Sequence, residues 1–186
     1  MKKRKIIIAV FSLLIIIGIV TTVLIISNRY KTTGLNPANP SMGNSDKGVE
    51  RGTLIVSNEI ALPGDEVKIV VSIKDNPGIL GMTLSVNYIT SVLTLVDAES
   101  GDAVKDTLVF TKPGKYQNNC KFLWDGTEIK DDMIKDGDVL ILTFKVENHA
   151  AAGEYPVLVS YEQDGIINND LSVVNLDIID GKITIE

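Results

Sequence analysis

Two patterns of hydrophobic positions divide this chain. Residues 6–26 run apolar without a charge, whereas from Thr53 onward apolar residues come in short groups broken by Gly, Pro, Asn and Asp. A run of 21 residues is long enough, at about 1.5 Å per residue, to cross the hydrocarbon core as a helix. Lys2, Lys3, Arg4 and Lys5 precede it and only Arg29 and Lys31 follow closely, which keeps the N-terminus in the cytoplasm. The reading is a basic cytoplasmic tail over 1–5, a transmembrane anchor over 6–27, a linker over 28–51 and an exported domain over 52–186. A cleaved signal is the competing reading, and would leave the domain secreted. Its apolar centre usually spans about 7–15 residues and ends in small residues, a site that Val23-Leu24-Ile25-Ile26-Ser27-Asn28 does not offer.

The linker, with Asn36-Pro37-Ala38-Asn39-Pro40-Ser41, has turn formers and no apolar period. About 24 such residues reach roughly 25–30 Å, so the domain stays close to the membrane. From there the apolar groups are rich in β-branched residues and predict about nine strands, over 54–56, 67–73, 82–88, 92–96, 121–124, 139–146, 155–161, 173–178 and 182–185. Pro63-Gly64-Asp65, Asn76-Pro77-Gly78, Ser100-Gly101-Asp102 and Asp180-Gly181 mark turns between them. Many short strands with almost no helical period predict an all-β, two-sheet sandwich.

Alternation assigns faces. In Met82-Thr83-Leu84-Ser85-Val86-Asn87-Tyr88 every second residue is apolar, so Thr83, Ser85 and Asn87 point outward as a polar, uncharged row. In Lys121-Phe122-Leu123-Trp124 the aromatics share the inner face, leaving Lys121 and Leu123 outside. A lone outward leucine is ordinary, and this one gains meaning only if it lies beside the Thr83 strand.

Charge sharpens the division. Residues 32–186 hold 12 of the 18 basic side chains and all 24 acidic ones, a net charge of −12 that repels anionic lipid heads and nucleic acid. Cys120 is the only cysteine, so the domain has no internal disulfide and rests on core packing. His149 is the only histidine, which excludes a histidine-rich metal site, and its Glu147-Asn148-His149-Ala150 setting is that of a solvent-facing connector. Glycoside hydrolysis needs two carboxylates about 5–9.5 Å apart across a cleft, yet Asp65, Asp75, Asp102, Asp131, Asp132, Asp136 and Asp138 fall in turn-like stretches suited to solvated charge. The acidic loop 164–170 lacks the spacing of an EF-hand. No catalytic residue, metal ligand or cofactor site is expected.

Ala61-Leu62-Pro63-Gly64-Asp65, Asn76-Pro77-Gly78-Ile79, the Met82 strand with Val92-Leu93-Thr94-Leu95 after it, Phe122-Leu123-Trp124, Asp136-Gly137 before Leu142-Thr143-Phe144-Lys145-Val146, Asn169-Asp170-Leu171 and a closing Asp180-Gly181-Lys182-Ile183-Thr184-Ile185 follow one another in an order and spacing that resemble the cohesin family. Cohesins are the receptor modules of cellulosomal scaffoldins. The resemblance implies a nine-stranded jelly-roll sandwich that binds a dockerin on one outer sheet face, with calcium on the dockerin rather than on this chain. It implies that this face presents Thr83, Ser85 and Asn87 from the third strand, Lys121 and Leu123 from the fifth, Ile141 and Thr143 from the sixth, and Leu171 before the eighth. The best-known class carries Asn and Asp where this chain has Gly81 and Thr83, and many members have Tyr-Asp-Pro in place of Tyr88-Ile89-Thr90, which implies a different specificity. A carbohydrate-binding or purely structural surface module is the alternative, although sugar-binding faces need exposed aromatic platforms and alternation turns Trp124 inward.

Overall fold

The computed structural model describes residues 51–186. Its strands are β1 (Thr53–Val56), β2 (Asn58–Ala61), β3 (Glu66–Lys74), β4 (Ile79–Asn87), β5 (Leu93–Ser100), β6 (Val109–Thr111), β7 (Cys120–Asp125), β8 (Gly137–Val146), β9 (Gly153–Ser160), β10 (Ile166–Asn168), β11 (Asp177–Ile179) and β12 (Gly181–Ile185). A single 3-10 turn, Asp131–Met133, interrupts them between β7 and β8. The predicted tail, the transmembrane anchor and all but the last residue of the linker lie outside the described residues.

The strands form two sheets. One has the order β11-β1-β3-β8-β5; the other runs β2-β12-β9-β4-β7-β6, with β10 paired to the start of β4. Most pairs are antiparallel, but β1 with β11 and β2 with β12 are parallel. The chain changes sheets twice, at Ser57 between β1 and β2 and at Asp180 between β11 and β12. At Ser57 the switch is bonded to β3. The Ser57 N–H donates to the Val70 carbonyl at 2.8 Å and its Oγ accepts from the Val70 N–H at 3.0 Å, which closes the pairing with β3. The next residue, Asn58, is already paired with Lys182 in the other sheet. Gly181 permits this crossing, since a Cβ there would lie 2.1 Å from the Ser57 carbonyl oxygen.

The core lies between the sheets and is made of the alternating inward residues of both. Leu54, Ile69, Ile73, Leu140, Leu142 and Phe144 come from one side, and Met82, Leu84, Val86, Phe122, Trp124 and Ile183 from the other. Trp124 is 0% exposed, as its alternation requires, and Phe110 packs on it with ring centroids 4.9 Å apart. Its Nε1–H donates to Ser100 Oγ at 3.0 Å, so the buried indole is satisfied from the opposite sheet. Cys120 is buried, and His149 is exposed in the turn between β8 and β9.

Among the described residues twelve strands replace the nine expected. Asn58–Ala61, Val109–Thr111 and Ile166–Asn168 are three or four residues long, at most two periods of alternation and too few to set a strand apart from a loop. The predicted strand over 173–178 is instead an isolated bridge at Val173 followed by β11.

Candidate functional site

Register builds the site one row at a time. Thr83 pairs with Leu123 and Leu123 with Thr111, so the outward leucine stands directly beside the Thr83 strand between two threonines. It is 43% exposed. In the next row Lys121 pairs with Ser85 and Ser85 with Ser160, and in the last Asn87 pairs with Leu158. On the other side of Leu123 runs Val109, Asp125, Gly81, Ile167 and Val173, five paired residues whose side chains stand on one face. Four steps at about 4.8 Å make that row roughly 19 Å wide. Val109 is 70% exposed and Val173 nearly half exposed, so the row next to the leucine shows solvent an apolar side chain at each end, with the exposed carboxylate of Asp125 between them.

Polar groups frame it. Lys121 Nζ donates to Glu162 Oε1 at 2.5 Å, and that hydrogen bond lowers the pKa of the glutamate. Ser85 is only 7% exposed, flanked by Lys121 and Ser160. At Gly81 the missing side chain is functional space already taken: a Cβ there would lie 3.2 Å from Ile167 Cγ1, so Ile167 covers the position. Leu171 sits on no strand but at the apex of the turn that follows β10, 73% exposed.

Of the eight residues expected to form one face, Thr83, Ser85, Asn87, Lys121 and Leu123 are brought together on β4 and β7, and Leu171 crowns the neighbouring turn. Ile141 and Thr143 are a correction. They lie on β8, between β3 and β5 in the five-stranded sheet, so their outward side chains face away on the opposite side of the sandwich. Alternation separates inner from outer in the same way for both sheets, and carries no information on which sheet a strand joins. With β2 and β6 unread, the count of strands also slips, and a face defined by ordinal strand number takes in the wrong one. Val109, Asp125, Ile167, Val173, Leu158 and Ser160 were missed. The Val109-Phe110-Thr111 run carried a weak β signal, while Ile167 stood in a stretch whose acids and amides read as loop.

No group of three or more His, Cys, Asp or Glu side chains converges among the described residues, and the polar cleft of about 500 Å³ lined by Tyr88, Thr90, Leu93, Thr94, Tyr116, Gln117 and Asn118 contains no acid or base for proton transfer at neutral pH. Burial pushes the Tyr88 hydroxyl and the Cys120 thiol up, away from reactivity.

The family model of the cohesin domain matches residues 52–185. Among solved structures, the chain is similar to a type I cohesin–dockerin complex of Clostridium thermocellum, with 19% identity over 73% of this chain and 99% of that one and a TM-score of 0.62. It is similar to the seventh ScaB type I cohesin of Pseudobacteroides cellulosolvens, with 19% identity, 73% and 92% coverage and a TM-score of 0.61. A non-cellulosomal cohesin of the hyperthermophilic archaeon Archaeoglobus fulgidus also matches, at 17% identity, 73% and 91% coverage and a TM-score of 0.58. At these identities the likeness is one of fold. No curated protein matches the chain.

Proposed function

This chain belongs to the cohesin domain family, and we propose that the outer face of its seven-stranded sheet binds the dockerin module of an enzyme or scaffoldin. Cohesins are non-catalytic protein–protein interaction modules, so the chain is not an enzyme. The observation that carries the reading is the direct pairing of exposed Leu123 with Thr83 and Thr111, next to the row from Val109 to Val173. An apolar centre inside hydroxyl, amide and charged groups is the anatomy of a compact interface. The similar Clostridium structure was solved as a cohesin–dockerin complex, which supports the choice of partner. A glycan-binding reading has less to stand on, since Trp124 is wholly inside.

The proposal extends to location. The uncharged run over 6–26 behind four cations would hold the chain in a bacterial cell membrane, N-terminus in the cytoplasm and cohesin domain outside, or release it as a secreted domain if cleaved. The chain would then be a non-catalytic surface anchor displaying one docking site, with calcium held by the dockerin. A pull-down with residues 52–186, shown to be folded by circular dichroism, tests it against dockerin-bearing proteins of the same organism with and without chelator. Capture abolished by chelator is the expected result. A folded domain that captures no dockerin overturns the proposal.

A further inference from the structure

The turn that carries Leu171 is built in a way its surroundings do not require. Asn168 N–H donates to the Ser172 carbonyl at 3.0 Å and Leu171 N–H to the Asn168 carbonyl at 2.9 Å. Asn168 Oδ1 accepts from the Ser172 N–H at 2.9 Å and the Asp170 N–H at 3.2 Å. At the apex Leu171 has φ of 58°, the left-handed region that a residue with a branched apolar side chain rarely enters. A turn with only a structural task would take Gly or Asn there. Strain of this kind persists where neighbouring groups over-determine the backbone.

Here the over-determining group is Asn169. Its Nδ2 donates to the Ile129 carbonyl at 2.7 Å, its Oδ1 accepts from the Ile129 N–H at 3.0 Å, and its own N–H donates to the Gly78 carbonyl at 2.8 Å. One amide side chain thus pairs with Ile129 as a strand would, and Ile129 is itself buried in the connection between β7 and β8. The turn is thereby bonded both to the start of β4 and to the segment following β7, the two strands that carry Thr83 and Leu123.

We infer that Asn169 is a positioning residue that sets Leu171 in its outward, left-handed pose before a partner arrives. The inference rests on the docking reading and deepens it: affinity depends on a residue whose amide side chain is bonded to Ile129 of the same chain. A partner that needs Leu171 in one pose sees its apparent Kd divided by the fraction of the chain holding that pose, so an untethered apex in place one-tenth of the time weakens binding about tenfold.

The test uses the full-length chain in detergent micelles and a dockerin captured as above, with isothermal titration of the wild type, Asn169→Ala, Leu171→Ala and the double variant. The expected result is about tenfold weaker binding for Asn169→Ala, and less than about twofold further loss when the same change is made in the Leu171→Ala background. Amide hydrogen exchange of the free chain accompanies it. Faster exchange at Ile129 and Leu171 is expected, with the Leu84 and Leu142 amides unchanged. An equal loss of affinity in both backgrounds, or unchanged exchange at Ile129 and Leu171, overturns the inference. If the alanine variant unfolds, Asn169→Asp keeps the acceptor for the Ile129 N–H and removes the donor to its carbonyl, and it is read by affinity in both backgrounds and by exchange at Leu171. Failure of the docking reading looks different: the wild type then binds no dockerin, and exchange alone decides the tether.

Discussion

Leu123→Asp tests the docking face most directly. Burying a whole leucine side chain contributes about 1.5–3 kcal/mol. Leu123 keeps 43% of its surface open to solvent, so the part that a partner can still cover accounts for about 1 kcal/mol. An aspartate would instead be covered between Thr83 and Thr111. The nearest cation on that face, Lys121, is already engaged by Glu162, and Asp125 two residues on adds like charge. Leaving a polar group poorly paired on binding costs about 1–3 kcal/mol more. The total, about 2–4 kcal/mol, weakens the Kd roughly 30- to 700-fold. Leu123→Ala removes only the apolar part and should cost about fivefold. Replacing a strand leucine by aspartate costs the fold on the order of 1 kcal/mol, a few degrees in Tm. Isothermal titration against a captured dockerin, with thermal melts in parallel, reads both quantities. A Leu123→Asp domain that melts within a few degrees of wild type and binds within threefold would refute the argument and move the interface to another surface.

Three further outcomes follow from the core and the charges. Trp124→Ala should lose about 3–5 kcal/mol in urea denaturation, because it empties the centre of the core and strands Ser100 Oγ; a loss below about 1 kcal/mol would contradict the packing described. Cys120 should be inert to a thiol reagent until denaturant is added, since burial raises its thiol and hides it; fast labelling of the native domain would contradict this. Lys112 lowers Asp97, and the Asn76 and Asp75 N–H groups lower Asp136, so their stabilisation is present above the unfolded carboxylate pKa and lost as pH falls through the folded values. The urea midpoint should therefore hold between pH 7 and 5 and drop below about pH 4, and a fall already between pH 7 and 6 would contradict it.

Much of this was legible along the chain. The inward set Met82, Leu84, Val86, Phe122 and Trp124 and the outward set Thr83, Ser85, Asn87, Lys121 and Leu123 follow from a period of two, because a pleated strand must send alternate side chains to opposite faces. The order of turns and strands also carried the family, which residues 52–185 bear out. Less legible were the three-residue strands, and Leu171, whose place depends on a turn held by Asn168 and Asn169 rather than on any period.

Local alternation by itself determined which side of a strand is wet, since that depends only on neighbours along the chain. Sheet membership was decided by the tertiary structure, because pairing partners are far apart in sequence: Ser57 ends one pairing and Asn58 begins another with Lys182, across the sandwich. In the same way the pairing of β4 with β7 sets Thr83 against Leu123, and the pairing of β8 with β3 and β5 sends Ile141 and Thr143, equally outward by their pattern, to the opposite face.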